Sequence, residues 1–162
     1  MNLKQRTATP EDREFLAEML EAAMNWNRAG DGLSRAQLEA MPKIWHYIDG
    51  WQHSTDFGLI AEHDGVAVGA AWARFFTAAD PGYGYVRDDV PELSMGVAAG
   101  YRGHGIGGLL LDALIAECRQ RGIDGLSLSV EDGNAPARAL YEGRGFAVVG
   151  RVGNSDTLLL EL

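Results

Sequence analysis

The sequence predicts an α/β (α+β) fold, with a mixed, mostly antiparallel sheet of six to seven strands and helices on both faces. Two pairs of strand-like segments are separated by short polar turns, which indicates antiparallel hairpins. A strand–helix–strand unit over residues 92–130 requires a parallel crossover. Segments of helical and strand periodicity alternate without a repeat or a linker. We therefore expect one domain spanning residues 1–162.

The first 50 residues are predicted to form one strand followed by helices. Residues 2–8 alternate weakly between polar and apolar side chains, which indicates a strand. Apolar residues then recur at helical spacing as far as Met24, and residues 34–50 hold one or two short helices. The signals that start or end these helices are the N-caps Thr9 and Ser34, the prolines Pro10 and Pro42, and the break Gly30-Asp31-Gly32.

The remainder of the chain is predicted to contain six strands and two helices. His63-Asp64-Gly65 contains the Asp-Gly pair typical of a tight hairpin, and Gly153-Asn154-Ser155-Asp156 is expected to form the turn of a closing hairpin. A loop rich in Gly, Pro, Asp and Tyr spans residues 77–91. The predicted strands are 57–62, 66–75, 92–97, 126–130, 146–152 and 157–162, and the predicted helices are 106–122 and 136–143.

The composition excludes several classes of protein. The chain is 46% hydrophobic and 23% charged, as expected for a soluble globular protein. Its longest charge-free apolar stretch, residues 65–73, is shorter than the about 20 residues that a membrane-spanning helix needs. No secretory signal is visible at the charged N-terminus. The one cysteine, Cys118, excludes an internal disulfide and a cysteine-based zinc site, so we expect a cytoplasmic setting.

The net charge of −9 bears on the partners of the protein. It argues against nucleic acid as a partner, because no broad basic surface can form, and against anionic membranes. It is compatible with a cationic acceptor, although acidic proteins commonly carry such a charge for solubility. No metal is expected, because metal-ligand spacing is absent among His46, His53, His63 and His104.

A cluster of glycines lies where the strand 92–97 passes into the next helix. Six glycines fall between residues 96 and 108. Residues without a Cβ let backbone N–H groups approach an anion closely, and the N-terminus of the helix adds positive potential. Arg102 can add a charge-assisted hydrogen bond. The pattern predicts a phosphate or pyrophosphate site, with a tight turn that binds nothing as the alternative.

A dinucleotide site is a second interpretation of the same glycines. Gly103, Gly105 and Gly108 formally fit G-x-G-x-x-G, and Glu131 lies near the position of a ribose-binding acid. However, the first of these glycines follows Val97 by six residues, whereas a dinucleotide turn begins at the end of its strand. The residues after Glu131 are also too few for further Rossmann units. An ATP-type P-loop is excluded because no Gly-Lys-Ser/Thr follows.

The residues around this turn resemble the signature of the GNAT family of N-acetyltransferases. Arg102, Gly105 and Gly107 match its R-x-x-G-x-G core. Residues 134–146, NAPARALYEGRGF, are similar to the family's N-x-x-A-x-x-L-Y-E-x-x-G-F. The two blocks occur in the expected order, and the order of elements matches the family over essentially the whole chain. Gly108 replaces a residue that is often polar in the family, so phosphate binding must depend more on the backbone.

The resemblance implies the GNAT fold and an enzyme that transfers an acetyl group from acetyl-CoA to a primary amine of a small molecule or peptide. The transfer would be direct, within a ternary complex. The alternative is a GNAT-like domain that binds acyl-CoA as a sensor without turnover. Dimers are common in the family, so a homodimer is a further expectation. The residues expected to bind the cofactor are Met95, Gly96, Val97, Arg102, Gly103, His104, Gly105, Ile106, Gly107, Gly108 and Asn134.

The resemblance also implies roles in catalysis. Tyr141 stands where the family has its general acid, and a phenol with a pKa of about 10 is protonated at neutral pH. Glu92 is the candidate base, acting directly or through water, with a solvated strand-end carboxylate as the alternative. Gly96 suggests a bulge or a close approach of ligand, which would free the N–H groups of residues 95–97 for the pantetheine chain and thioester. Asn134 is expected to contact the cofactor, to cap its helix, or both.

Aromatic and acidic side chains precede the turn. The aromatic side chains can form a wall that holds an amine by cation–π contacts, or they can simply pack helices onto the sheet. The acidic side chains can attract the same amine. Cys118 falls on the apolar face of the long helix and is expected in the core rather than as a nucleophile. The residues concerned are Trp26, Trp45, Tyr47, Trp51, Asp80, Asp88, Asp89 and Glu92.

Overall fold

The computed structural model of the protein describes residues 2–27 and 32–162. These residues form seven strands and five α-helices in the predicted order. The strands are β1 (Leu3–Thr7), β2 (Phe57–His63), β3 (Val66–Arg74), β4 (Glu92–Val97), β5 (Gly125–Glu131), β6 (Ala147–Val152) and β7 (Ser155–Glu161). The helices are α1 (Arg13–Met24), α2 (Arg35–Glu39), α3 (Pro42–Trp45), α4 (Ile106–Gln120) and α5 (Ala135–Glu142).

The strands form one sheet with the order β1-β2-β3-β4-β5-β7-β6. The pairs β1–β2, β2–β3, β5–β7 and β6–β7 are antiparallel. Strands β4 and β5 are parallel and pair at Glu92 and Ser127. This mixed sheet with its helices confirms the predicted α+β fold class. It makes the dinucleotide interpretation wrong, because that site depends on a mostly parallel sheet.

Local sequence sets the start of the N-terminal helices. The backbone N–H of Thr9 donates to the carboxylate of Asp12 at 2.7 Å, ahead of α1. The N–H of Gln37 donates to the hydroxyl of Ser34 at 3.2 Å, so Ser34 caps α2 as predicted. The predicted break at residues 30–32 lies largely outside the described residues.

The two hairpins differ in how well the sequence predicts them. Asp64 and Gly65 take φ values of +50° and +81°, the left-handed conformation that an Asp-Gly hairpin turn requires. The predicted four-residue turn of the closing hairpin is wrong in length, because only Gly153-Asn154 forms it. Ser155 and Asp156 belong to β7, where they pair with β5. That long-range pairing overrides the turn preference of the two residues.

Contacts divide the chain into two compact units. The first comprises Met1–Ala73 with Ser94–Leu114, and the second comprises Arg74–Leu93 with Ile115–Leu162. The single domain stays a prediction. Within the described ranges, no helix is both long and apolar enough to cross a membrane. The same ranges hold no group of three His, Cys, Asp or Glu side chains suited to a metal ion.

Aromatic residues join the helices and strands of the first unit. Trp72 of β3 is fully buried, and its indole N–H donates to the carbonyl oxygen of Tyr47 at 3.0 Å. The indole of Trp51 donates to the carbonyl oxygen of Thr9 at 3.0 Å. Tyr47 and Trp51 are both buried. The packing interpretation of the aromatic cluster therefore holds for these two members.

The loop over residues 77–91 lies against β5 in the second unit. A Cβ on Gly84 would lie 2.5 Å from the carbonyl carbon of Leu128 and 2.8 Å from the nitrogen of Ser129. Only a glycine fits so close an approach of two backbones. The hydroxyl of Thr157 in β7 also donates to the carbonyl oxygen of Tyr83 at 3.3 Å. The middle of the loop is thus fixed on the sheet.

Candidate active site

The glycine-rich turn leads into the N-terminus of α4, within the first unit. Gly100, Gly103 and Gly105 have φ values of +89°, +79° and +79°. A Cβ at any of the three would meet nothing within 4 Å, so backbone conformation rather than crowding selects glycine there. Residues 102–105 are exposed. The turn therefore presents its backbone to an incoming ligand beside a helix N-terminus, where the first N–H groups have no helical partner.

Arg102 lies at the start of this exposed turn. Its Nε donates to the carbonyl oxygen of Val97 at 3.4 Å, which leaves the two terminal nitrogens out of that hydrogen bond. His104 is exposed two residues later. The ring of Tyr101, the residue before Arg102, packs edge-to-face on the ring of His63 with 5.8 Å between centroids, which ties the turn to the end of β2. These features suit an anion that contacts the turn from solvent.

Strand β4 carries the backbone groups predicted to bind the cofactor. Met95, Gly96 and Val97 are its last three residues. A Cβ on Gly96 would lie 2.5 Å from the carbonyl oxygen of Met19 in α1. Close packing of α1 on the strand therefore suffices to require this glycine. The cofactor role of these three N–H groups stays a prediction.

Glu92 is the first residue of β4 and belongs to the second unit. The residue is 4% exposed, so the alternative of a solvated carboxylate is wrong. It pairs with Ser127 of β5, which is fully buried, and the hydroxyl of Ser127 donates to the carbonyl oxygen of Pro91 at 3.5 Å. A carboxylate held in such a position is a stronger candidate for chemistry than one at the surface. Its role as a base stays a prediction.

Tyr141 lies on α5 in the second unit and is 9% exposed. Its ring packs edge-to-face on Phe146 at 5.8 Å between centroids. Burial raises the pKa of Tyr141 to about 12, so the hydroxyl keeps its proton throughout the neutral range. Asn134 is the residue before α5, but its side chain makes no capping hydrogen bond. The capping role of Asn134 is thus wrong, and its amide is not used in that way.

Other predicted residues separate clearly by environment. Cys118 is fully buried, and burial raises the pKa of its thiol to about 12. Such a thiol is a core group and not a nucleophile.

In the loop before β4, the hydroxyl of Tyr85 donates to the carboxylate of Asp88 at 2.5 Å, and Arg87 donates to Asp89 at 2.8 Å. Tyr85 was not among the predicted residues, although its partner Asp88 lies only three residues along the chain.

The fold and the turn together define an α+β protein with an exposed glycine-rich turn at a helix N-terminus. A model of the acetyltransferase (GNAT) family matches residues 16–146, and the chain belongs to this family. The structure of a ribosomal-protein-alanine N-acetyltransferase from Brucella melitensis is similar at 26% identity, with a TM-score of 0.65 and coverage of 98% of both chains. The PaiA N-acetyltransferase from Thermoplasma acidophilum, solved in complex with coenzyme A, shares the fold. It is 19% identical, with a TM-score of 0.70 over 100% of both chains.

A curated relative is similar over most of this chain. The mycothiol acetyltransferase of Saccharomonospora viridis is 31% identical over 146 residues. That match covers 89% of this chain and 45% of the relative. The chain thus spans less than half the length of the curated relatives it matches.

Proposed function

We propose that the protein is an acetyl-CoA-dependent N-acetyltransferase that acetylates a primary amine by direct transfer. The observation that carries the proposal is the exposed turn ahead of α4, in which three glycines of positive φ leave the backbone open to an anion. Membership of the acetyltransferase (GNAT) family supports it independently. The 19% identical neighbour that holds coenzyme A shares the same fold.

The residues of the turn fit a diphosphate. The N–H groups of Gly103 to Gly108 and the positive end of α4 would hold its oxygens, and Arg102 would add a charged donor. The last residues of β4 and Asn134 would bind the rest of the cofactor. Acetyl-CoA supplies an acetyl thioester, whose C–S bond is exchanged for an amide bond to the acceptor. No metal is part of the proposal.

Tyr141 is proposed as the proton donor to the leaving sulfur. Burial raises its pKa to about 12, so the hydroxyl is protonated at neutral pH. A donor with so high a pKa is a weak acid, and it gives up its proton only when the sulfur has gained negative charge. We therefore expect proton transfer from Tyr141 to accompany cleavage of the C–S bond rather than to precede it.

Glu92 is proposed as the base that takes a proton from the ammonium group of the acceptor, directly or through one water. An alkyl ammonium has a pKa of about 10.4, so at neutral pH it must lose a proton before its nitrogen can attack. The burial of Glu92 removes competition from bulk water. The nitrogen loses a second proton when it becomes the amide nitrogen, and that proton restores the hydroxyl of Tyr141 after the hydroxyl has protonated the sulfur. The proton taken by Glu92 is then the one released to solvent, so the protons balance over the whole reaction.

The acceptor is proposed to be a primary amine of a small molecule or peptide. The relatives named mycothiol acetyltransferase favour a small molecule, and a mycothiol-related amine belongs in the first set of candidates. Exposed Asp80, Asp88 and Asp89 flank the fixed middle of the loop before β4, and their charge would favour a cation. A cytoplasmic setting and a homodimer remain part of the same proposal.

The test measures release of free thiol from acetyl-CoA with a panel of amines that includes amino acids, polyamines, aminoglycosides, peptide N-termini and mycothiol-related amines. We expect one class to be acetylated. Tyr141→Phe should lower kcat by about 10²–10⁴ and leave coenzyme A affinity unchanged. Glu92→Gln should lower the rate mainly at low pH, where little neutral amine is present. Binding of acetyl-CoA without turnover on any amine would instead favour a sensor.

A further inference from the structure

Four charged side chains connect the β6–β7 hairpin to the start of α5 in the second unit. Arg151 of β6 donates to both carboxylate oxygens of Asp132, at 3.0 Å to Oδ1 and through a shorter hydrogen bond to Oδ2. It also donates to Oδ1 of Asp156 at 2.9 Å. Arg138 of α5 donates to Oδ2 of Asp156 at 2.6 Å. We call Asp132, Arg138, Arg151 and Asp156 the hairpin network.

Hydrogen bonds of the hairpin turn reinforce this network. The backbone N–H of Asp132 donates to the carbonyl oxygen of Asn154 at 2.9 Å. The side-chain amide of Asn154 donates to the carboxylate of Glu131, the last residue of β5, at 3.3 Å. The segment that joins β5 to α5 is thus attached to the hairpin by backbone and side-chain bonds together. That segment ends at Asn134.

The network reaches α5 between the two residues of functional interest. The N–H of Arg138 donates to the carbonyl oxygen of Asn134 at 3.0 Å, which forms the first turn of the helix. Tyr141 follows Arg138 by three residues, which places it on a neighbouring position of the helix surface. Helix α5 has eight residues and no side-chain cap. A helix this short does not hold its own position and depends on tertiary contacts.

The exposure of the network indicates that its main effect is geometric. The side chains of Arg138 and Asp156 are 29% and 20% exposed, while those of Arg151 and Asp132 are about half exposed. Ion pairs this accessible to solvent contribute little to stability. Arg151 contacts both carboxylate oxygens of Asp132, and such a two-point contact of a planar guanidinium fixes its orientation. The arginines also lower the pKa of each of the two carboxyl groups, Asp132 and Asp156, below the usual range of an aspartate, so both stay ionised at neutral pH.

We propose that the hairpin network positions the helix that carries Tyr141 for the transfer reaction. Arg138 is its positioning residue on α5, because it links the helix directly to Asp156. The inference rests on the proposed function, in which Tyr141 donates the proton. The opposite end of the helix is fixed by the packing of Tyr141 on Phe146, so the network supplies the second point of attachment.

The test compares Arg138→Met in the wild type and in Tyr141→Phe. Arg138→Met keeps the stem and removes the charge. In the wild type we expect kcat to fall about tenfold, since small misplacements of a proton donor are costly. In Tyr141→Phe we expect no further loss, because Arg138 acts through the hydroxyl that is already missing. Arg138→Lys should recover most of the rate, because the bond to Asp156 is a single one.

Hydrogen exchange of the free protein provides a readout that does not depend on activity. The amides of α5 should exchange faster in Arg138→Met. The matched control is Arg121→Met, which removes another exposed arginine, paired with Glu117 at 2.9 Å beside α4. It should change neither kcat nor the exchange of α5.

The outcomes separate this inference from the proposed function. An equal loss of kcat in both backgrounds would show a merely structural role and overturn the inference. So would a normal kcat in Arg138→Met together with a strong loss in Tyr141→Phe, and in that case the proposed acid would survive. Full activity in Tyr141→Phe would overturn the proposed acid and this inference together.

Discussion

Gly65 and Gly105 have nearly the same positive φ in two different turns. Their φ values are +81° and +79°, and a Cβ at either position would meet nothing within 4 Å. One lies in the β2–β3 hairpin turn and the other lies directly ahead of α4. Replacement by alanine should therefore impose the same strain, about 1–2 kcal/mol, on two turns of which only one is proposed to bind a ligand.

We predict that Gly105→Ala weakens coenzyme A binding about fivefold to thirtyfold. The free protein can relieve the strain by moving the turn away from its binding conformation, and binding must then supply about 1–2 kcal/mol to restore it. Gly65→Ala should lose up to about 1–2 kcal/mol of unfolding free energy but bind coenzyme A normally. Isothermal titration calorimetry and urea unfolding of both variants make the comparison. Equal affinities of the two variants for coenzyme A would show that the glycine-rich turn is not part of the binding site.

The sequence could predict this turn because its cause is local. A positive φ almost requires glycine, so Gly100, Gly103 and Gly105 mark the turn in the sequence itself. The cause of Gly96 is not local. Its neighbour across the packing interface, Met19, precedes it by 77 residues, so the sequence shows the glycine without the helix that requires it. The burial of Glu92 could not be predicted for the same reason, because its partner in the sheet, Ser127, lies on a different strand.

At the scale of elements, the packing of α1 on β4 gives a second prediction. Gly96→Ala would place a methyl group 2.5 Å from the carbonyl oxygen of Met19, a backbone atom that cannot move alone. We expect a loss of about 1–3 kcal/mol of unfolding free energy, because the helix must shift outward. The control is Gly150→Ala in β6, where the nearest atom, Cβ of Thr157, lies at 3.8 Å.

Urea unfolding checks this comparison. Gly150→Ala should be neutral or slightly stabilising, because alanine restricts the unfolded chain and fits the site. A shift of the midpoint for Gly96→Ala with an unchanged m-value would confirm a loss of native stability. If both variants unfold at the wild-type midpoint, α1 does not pack on β4 as closely as described.

Elements were predictable where periodicity and turn residues agree, as in β4 and in the Asp64-Gly65 hairpin. The hairpin network was not predictable, because Asp132 and Arg151 lie 19 residues apart and no local pattern pairs them. The predicted length of the closing turn was wrong for a similar reason. Ser155 and Asp156 suit a turn by composition, but pairing with β5 places them in a strand.

At the scale of the whole molecule, the open question is whether the two compact units unfold together. The four tryptophans, Trp26, Trp45, Trp51 and Trp72, all lie in the first unit. Tryptophan fluorescence therefore reports that unit alone. Far-UV circular dichroism reports both units, because α5 and the β6–β7 hairpin belong to the second.

We predict that the two signals follow one urea transition with the same midpoint and the same m-value. The sequence predicts a single domain, and the strand β4 and the helix α4 each contribute residues to both units, so neither unit has a complete set of elements without the other. Single domains of this size usually unfold in one cooperative step. Coenzyme A at about 100 times its Kd should move both midpoints together, by a stabilisation of about 2.7 kcal/mol. A fluorescence transition that separates from the circular dichroism transition, or that alone responds to coenzyme A, would show two domains and overturn the prediction.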